Sequence, residues 1–169
     1  ATFTVSNLNN SGIGSFRQAI ISANGAAGAD MIVFNVSGTI PVVGALPAIT
    51  GPVTIDGTTA NGYVACGAPT IAIDGGGAGG NGLQVLSGGS GSIIRALNVR
   101  NFQFNGIQCI GVSNSTISSC YIGTDATGNV AATNGQNGVQ IEGGGINNRV
   151  GGGGPCDGNV ISGNFGTGI

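Results

Sequence analysis

The side chains of this sequence that could perform acid–base chemistry are carboxylates, and they are few and widely spaced. The candidates are Asp56, Asp74, Asp125, Glu142 and Asp157. Cleavage of a polysaccharide by carboxylates needs either two of them close together, one protonated, or a calcium site beside a basic side chain. Asp56 and Asp74 each stand in an Ile-Asp-Gly triplet, where an aspartate typically accepts hydrogen bonds from the backbone of a turn. We therefore interpret both as turn residues, stacked at equivalent corners of neighbouring repeats.

The other reactive residue types lack the partners that catalysis or metal binding requires. The sequence contains no His and no Lys, so its Ser and Cys residues have no side-chain base to activate them. Asp125, within Gly123–Asn129, offers a single carboxylate, which fits an Asx turn better than a calcium site. The run Gly151–Gly154 is not followed by the Lys and Ser or Thr of a phosphate-binding loop. We predict no catalytic residue, no metal ion and no cofactor.

Charge is sparse and slightly negative. Four Lys and Arg residues against six Asp and Glu residues give a net charge of -2, and 40% of the chain is hydrophobic. Nucleic acids and anionic membrane surfaces are bound by clustered basic side chains, so neither is expected as a partner. Arg95 and Arg100 flank one apolar strand, and we predict that both are exposed, solvated charges; a carbohydrate-binding role is the alternative. No apolar run is long enough to span a bilayer.

Four cysteines predict at least one disulfide in an oxidising compartment, and none has the Cys-x-x-Cys spacing of a zinc or redox site. Cys109 and Cys120 fall at inward positions, where they either bond across the interior or pack as small apolar side chains. Cys66 and Cys156 lie on loops three repeats apart, roughly 14 Å at the usual strand spacing. That distance is beyond the reach of one disulfide unless a loop folds back. A bond between neighbouring molecules is the other alternative for this pair.

A repeated five-residue segment organises the chain that must position these residues. Asn81–Val85 returns as Asn105–Cys109 and again as Asn137–Ile141, at spacings of 24 and 32 residues, and Thr167–Ile169 resembles the opening of a fourth copy. Each Asn-Gly is expected to supply the positive φ of a corner. The alternation that follows, apolar then Gln then apolar, predicts a short strand with the Gln on the opposite face. Self-similarity at this period indicates a solenoid.

Further short apolar segments between the copies give each period two or three strands. The periods lack the helices of an ankyrin array, the leucine framework of a leucine-rich repeat and the Trp-Asp signature of a propeller. The sequence therefore predicts an all-β fold, a parallel β-helix or β-solenoid, in a single domain. Residues 1–30 would form an N-terminal strand and capping helix, and residues 31–169 the coils, with no C-terminal cap.

One short α-helix is predicted ahead of the repeats. Ser15 is a suitable N-cap, and Gly25 lies near the C-terminal end. The apolar face of this helix consists of Phe16, Ala19, Ile20 and Ala23. We expect it to cover the open apolar end of the first coil and to shield strand edges that could otherwise pair with another chain.

Several segments resemble a known family. They are Gly12–Ile20, Gly28–Phe34, Leu46–Ile49, Val53–Gly57, Ile122–Gly128 and Gly158–Asn164. They are similar to segments of bacterial secreted or surface-anchored right-handed parallel β-helix repeat proteins, and the resemblance covers most of the chain. It implies a right-handed β-helix and an exported protein whose signal peptide has been removed. It implies no particular activity, because the family includes large adhesin-like and surface proteins whose functions are mostly unassigned.

The end of the sequence suggests an assembly role. The segment without a cap consists of Asn164, Phe165, Gly166, Thr167, Gly168 and Ile169. We expect its strand edges to join copies head to tail into an extracellular filament, because contacts that do not close generate filaments. The sequence thus favours a non-catalytic structural protein at the cell surface, a filament subunit or an adhesin stalk, with itself or cell-surface components as partner.

Two other functions stay open at this stage. One is a pectate-lyase-like enzyme or a carbohydrate-binding module of the same fold. The other is an ice-binding protein, which would need outward threonines at a fixed register in coil after coil. Thr54, Thr70, Thr116 and Thr133 are not expected to keep such a register.

Overall fold

The computed structural model describes residues 1–77 and 79–169, and these are built mainly from short strands. The described α-helix, α1, spans Phe16–Gly25. The described strands are β1 (Thr2–Val5), β2 (Asp30–Phe34), β3 (Gly38–Pro41), β4 (Val53–Asp56), β5 (Ile71–Asp74), β6 (Leu83–Leu86), β7 (Ile93–Arg95), β8 (Leu97–Arg100), β9 (Ile107–Ile110), β10 (Thr116–Ser118), β11 (Tyr121–Ile122), β12 (Val139–Glu142), β13 (Arg149–Val150) and β14 (Val160–Ile161). The predicted combination of β strands with one α-helix near the N-terminus is confirmed. Across the described residues, every helix falls short of the length and apolar character needed to cross a bilayer.

These strands form three sheets, and every pairing between them is parallel. The first sheet has the order β1-β2-β4-β7-β10-β13, the second β14-β11-β8-β5-β3 and the third β12-β9-β6. From β4 onward the chain visits the first, second and third sheets in that fixed order. We call each such passage a circuit. Neighbouring strands of a sheet therefore come from successive circuits.

The three copies of the repeated five-residue segment lie in register in the third sheet. Gln84 is aligned with Gln108, and Gln108 with Gln140. The segment that resembles a fourth copy lies against the start of β12, where the backbone N–H of Gly138 donates to the carbonyl oxygen of Thr167 at 2.9 Å. The predicted strand at each copy is confirmed; in the first two copies the Gln lies on the face opposite two buried apolar residues, whereas in the third Val139 is buried and Ile141 is 37% exposed.

The glycine of each copy serves a close approach rather than a positive φ. Gly106 lies outside the positive-φ region, and a Cβ there would be 2.7 Å from the carbonyl oxygen of Gly138 and 2.6 Å from the side chain of Ile122. The predicted positive φ at Asn-Gly is therefore wrong for these copies. The corners between the first and second sheets use single residues such as Ala96 and Ser119, with φ values of 55° and 56°.

Inward-facing side chains of successive circuits stack into apolar rows. In the first sheet, Ile32, Ile55, Ile94 and Ile117 are aligned, and none is more than 3% exposed. Complete burial of such a side chain contributes about 1.5–3 kcal/mol. Because each residue of a row packs against the circuits above and below, no circuit has an independent core.

Helix α1 packs against β1 and β2 at one end of the sheets. The Ser15 side chain accepts a hydrogen bond from the backbone N–H of Gln18 at 3.2 Å, as an N-cap does. The Phe16 ring lies 5.6 Å from the Phe34 ring, measured between centroids. The buried residues of the helix are the apolar face identified in the sequence, Phe16, Ala19, Ile20 and Ala23.

Two polar side chains of α1 bind backbone groups of the segment that precedes β4. Arg17 donates to three consecutive carbonyl oxygens, those of residues 43–45, the first two at 3.0 and 3.2 Å. Asn24 donates to the carbonyl oxygen of Ala48 at 2.7 Å and accepts from the N–H of Thr50 at 2.9 Å. These backbone groups are thereby kept from pairing with another chain.

Candidate functional site

A disulfide joins Cys66 to Cys156 within one chain. Cys66 follows β4 and Cys156 follows β13, three strands further along the first sheet. Their Cα atoms are nevertheless 4.6 Å apart, because the loops after the two strands fold towards each other. The sequence allows this bond within one chain only if a loop folds back, and such a loop is present. The alternative, a bond between neighbouring molecules, is wrong. We call the joined loops, residues 61–69 and 151–158, the disulfide arch.

Cys109 and Cys120 are unbonded and lie buried in the interior. Burial raises the pKa of Cys109 to about 11 and that of Cys120 to about 12. The thiolate is the reactive form of cysteine, so burial keeps both thiols in the protonated, less reactive form near neutral pH. Of the two alternatives for this pair, packing as small apolar side chains is confirmed and a bond across the interior is wrong.

Asp56 forms an ion pair with Arg95, its aligned neighbour in the next circuit. Arg95 donates through Nε to Oδ1 at 2.8 Å and through Nη2 to Oδ2 at 2.5 Å. Oδ1 also accepts from the backbone N–H of Thr58 at 3.0 Å, which confirms the predicted turn role. Burial alone would raise the pKa of Asp56, but the hydrogen bonds from Arg95 and Thr58 and the guanidinium charge hold it below its usual value.

Asp74 and Arg100 repeat this arrangement in the second sheet. Arg100 Nε donates to Asp74 Oδ2 at 2.8 Å, and the backbone N–H of Gly76 donates to Oδ1 at 2.9 Å. Burial again opposes ionisation, and these hydrogen bonds outweigh it, so the pKa of Asp74 is lowered. Asp56 ends β4 and Asp74 ends β5, so they belong to different sheets and the predicted stacking is wrong. The prediction that Arg95 and Arg100 are exposed, solvated charges is wrong in that both are ion-paired; the Arg95 side chain is 43% exposed, as expected, but that of Arg100 only 16%.

A cavity of about 250 Å³ lies beside the disulfide arch. Tyr63, Arg95, Ser118 and Asp157 contribute to its lining. Burial raises the pKa of Tyr63, so its hydroxyl group stays protonated at neutral pH. Arg95 is already held by Asp56. The cavity is therefore lined by hydrogen-bonding groups, and the guanidinium group among them is already engaged.

The Asp125 carboxylate closes a turn. Its Oδ1 atom accepts from the N–H of Thr127 at 3.1 Å, from the Thr127 hydroxyl at 2.7 Å and from the N–H of Val130 at 3.3 Å. The hydrogen bonds from Thr127 lower the pKa of this exposed carboxyl group. The predicted Asx turn is confirmed. In residues 1–77 and 79–169, no three His, Cys, Asp or Glu side chains are grouped so that they could hold a metal ion.

The outer face of the second sheet carries two adjoining depressions of about 430 and 410 Å³, which we call together the second-sheet groove. Thr39 lines both depressions, Arg100 lines the larger one and Asp74 the smaller one. Three buried side-chain oxygens in this region lack a hydrogen-bond partner among the described residues: Thr70 Oγ1, Asn98 Oδ1 and Thr124 Oγ1. Thr70 lines the larger depression, and Asn98 is the strand neighbour of Ala72, which also lines it.

Amide side chains form a hydrogen-bonded row on the outer face of the third sheet. Gln84 Nε2 donates to Gln108 Oε1 at 2.8 Å, and Gln108 Nε2 donates to Gln140 Oε1 at 3.1 Å. Beside this row, Asn105 Nδ2 donates to Asn81 Oδ1 at 3.1 Å. Sequence reasoning missed this network, although the recurrence of Asn and Gln at fixed positions of the copies was its signal.

An outward row of the first sheet contains threonines that the sequence did not place together. Thr54 and Thr116 are both aligned with Ile93, which lies between them. Thr70 and Thr133 lie outside this row, so the expectation that the four threonines would not keep a fixed register from coil to coil is confirmed. Because Ile93 interrupts it, the row is not the continuous threonine array that ice binding would require.

The segment named for assembly, Asn164–Ile169, runs beside the start of β12. Asn137 Oδ1 accepts from the backbone N–H of Thr167 at 3.0 Å. Phe165 and Ile169 are 84% and 67% exposed. Contact between this segment and a second copy stays a prediction.

Comparison of the sequence with models of known protein families and with curated proteins found no match.

Proposed function

We propose that this chain is a right-handed parallel β-helix and that it serves as a non-catalytic structural part of a secreted or cell-surface protein. The fixed order in which the chain visits three parallel sheets supports winding in one direction. Parallel strands of one sheet are connected with a right-handed crossover in nearly all proteins, which supports the hand. The aligned copies of the repeat support the stacking of one coil on the next.

The observation that carries the structural role is the use of both Ile-Asp-Gly aspartates as ties between circuits. Asp56 binds Arg95, and Asp74 binds Arg100, each across one strand spacing. A general acid or base must exchange its proton with a substrate. These two carboxylates have lowered pKa values and arginine partners, so they stay ionised and engaged at neutral pH.

The disulfide supports the proposed location. Disulfides such as Cys66–Cys156 persist in oxidising environments, which include the cell exterior and the bacterial periplasm. A bond that spans three strand spacings would also hold the circuits together under load or proteolysis, as a structural protein outside the cell requires.

An activity screen tests the absence of catalysis. The purified chain is incubated with pectin, polygalacturonate and other polysaccharides, and new reducing ends and unsaturated products are measured. We expect none above the level of a heat-unfolded sample. Cleavage that Asp56→Asn or Asp74→Asn abolishes, in a variant whose circular dichroism is unchanged, would show that the aspartates are catalytic and would overturn the proposal.

The proposed structural role includes head-to-tail self-association into filaments, and imaging tests this part. Negative-stain electron microscopy and size-exclusion chromatography of the chain should show filaments one molecule wide. Because Cys66 and Cys156 bond within one chain, reductant is not expected to shorten such filaments by breaking links between subunits. A monomer at all concentrations would remove the filament role and leave that of a rigid spacer.

Carbohydrate binding is a second candidate, favoured by the second-sheet groove. Sugar hydroxyls both donate and accept hydrogen bonds; in the lining of this groove the Thr39 hydroxyl can do both, and the Arg100 guanidinium group can donate. The groove also has the size of a small-ligand site. Calorimetric titration with neutral and acidic oligosaccharides tests this function. Thr39→Val should abolish any binding, whereas Thr2→Val on the first sheet should not; equal affinity of both variants would exclude this groove.

A further inference from the structure

The sequence contains six Asn-Gly pairs, a dipeptide that can modify itself without an enzyme. The backbone nitrogen of the glycine attacks the side-chain carbonyl carbon of the asparagine, and a five-membered succinimide forms. The side-chain nitrogen leaves as ammonia with the proton of the glycine N–H. Water then opens the ring at either carbonyl and yields aspartate or isoaspartate. The reaction needs a glycine N–H that is free to react and a backbone that can rotate.

Five of the six pairs are held in regular hydrogen bonds. The pairs are those at residues 24–25, 81–82, 105–106, 134–135 and 137–138. Gly82, Gly106 and Gly138 donate their N–H groups to carbonyl oxygens of the next circuit at 2.9 Å, and Gly135 donates to the carbonyl oxygen of Phe102 at 2.8 Å. Gly25 lies within α1. In each of these pairs the attacking nitrogen is already engaged, so the fold must open locally before the ring can close.

Asn61-Gly62 is the exception. The pair forms the tip of a turn, which the N–H of Tyr63 closes by donating to the carbonyl oxygen of Ala60 at 3.1 Å. Gly62 has a φ of 73°, which fits the third position of a type II turn, a position whose N–H is not used by the turn. Both residues are exposed, and no acceptor among the described residues binds the Gly62 N–H.

We propose that Asn61 is a selective self-modification site, at which the folded protein forms succinimide and then aspartate and isoaspartate while its other Asn-Gly pairs stay intact. The site lies at the start of the disulfide arch. Asn61 Nδ2 donates to the backbone carbonyl oxygen of Asn35 at 2.6 Å. Conversion replaces this donor with a carboxylate, which cannot donate to that oxygen at neutral pH. The reaction therefore removes the hydrogen bond between the start of the arch and Asn35, just after β2, and adds one negative charge there.

A time course tests the proposal on the intact, disulfide-bonded chain. The protein is kept at mildly alkaline pH, digested with pepsin in acid to avoid further reaction, and analysed by mass spectrometry with electron-transfer fragmentation. The Asn61 peptide should convert at least about tenfold faster than each peptide that carries one of the other five pairs, because those need local opening first. An Asn61→Gln variant should lose the early product and keep the rest of the pattern.

The unfolded chain is the matched control. In urea with reductant, all six pairs should convert at similar rates, which assigns the selectivity to the fold rather than to neighbouring residues. Conversion of Asn81, Asn105 or Asn137 as fast as that of Asn61 in the folded chain would overturn the proposal. So would a selectivity for Asn61 that survives in urea.

Discussion

Cys66 and Cys156 are separated by 90 residues in the sequence, and their Cα atoms lie 4.6 Å apart. The segment that this bond encloses contains every strand from β5 to β13. A bond across such a long loop stabilises the protein mainly by lowering the conformational entropy of the unfolded chain. In the chain-entropy description, a bond at this loop length adds up to about 4–5 kcal/mol to the free energy of unfolding. The disulfide arch thus ties together circuits that otherwise contact only their immediate neighbours.

We predict that Cys66→Ala with Cys156→Ala lowers the free energy of unfolding by about 2–5 kcal/mol. Urea unfolding followed by circular dichroism measures the change. Reductant should lower the stability of the unsubstituted protein by a similar amount and leave the double variant unaffected. A double variant as stable as the disulfide-bonded chain would show that the arch does not stabilise the stack.

Acid should weaken the protein through Asp56 and Asp74. Both carboxyl groups have lowered pKa values in the folded state, so their contribution is fully present above the unfolded-state pKa, about 4, and is lost as the pH falls through the folded values. The free energy of unfolding should stay level between pH 7 and about 5 and fall below about pH 4. The variant with Asp56→Asn and Asp74→Asn should be less stable at pH 7 and show a shallower acid decline. Equal slopes for both proteins would assign the decline to other groups.

Replacement of Arg95 should show how much of the free energy of unfolding depends on its ion pair with Asp56. Asp56 has a side chain only 4% exposed, so Arg95→Met leaves a buried carboxylate without its ionic partner. We expect a loss of about 1–3 kcal/mol in the free energy of unfolding. Arg149→Met, at an exposed position of the same sheet, is the matched control and should change stability by less than about 0.5 kcal/mol. Similar losses in both variants would mean that the ion pair adds nothing specific.

The repeats could be predicted from the sequence, because alternation with a period of two allows only one register that buries the apolar face. That is why Gln84, Gln108 and Gln140 lie in one row, as the three copies indicate. The disulfide partner of Cys66 could not be fixed in this way, because the loops of the disulfide arch carry no periodic pattern. The direction in which these loops fold depends on their contacts with the folded circuits.

The ion pairs escaped prediction for a related reason. Asp56 and Arg95 are 39 residues apart, and the arch loop that follows β4 separates their strands in the sequence. Their alignment can be deduced only once the length of that excursion is known. The turn role of Asp56 was accessible, since it depends on Thr58, two residues away.

The close approach at the repeated glycines should make them intolerant of any side chain. In Gly106→Ala, the new Cβ would lie 2.6 Å from the side chain of Ile122 and 2.7 Å from the carbonyl oxygen of Gly138. We expect a destabilisation of about 1–3 kcal/mol, measured by urea unfolding, because backbone of the next circuit must move. Gly51→Ala, where a Cβ would meet nothing within 4 Å, should change stability by less than about 0.5 kcal/mol. A neutral Gly106→Ala would show that neighbouring circuits can separate at little cost.

Arg17 should matter through the shape of its guanidinium group rather than its charge. Its planar set of donors reaches the carbonyl oxygens of residues 43–45 together, whereas a lysine ammonium is a compact point charge that cannot span them. Arg17→Lys keeps the charge, so we expect a loss of about 1–2 kcal/mol from the missing hydrogen bonds alone. Urea unfolding would measure this loss, and hydrogen exchange should show faster opening of residues 43–50. Gln18→Lys, on the exposed side of α1, is the control that adds a lysine without removing these contacts. If residues 43–50 opened at the same rate in both variants, helix packing alone would account for their protection from exchange.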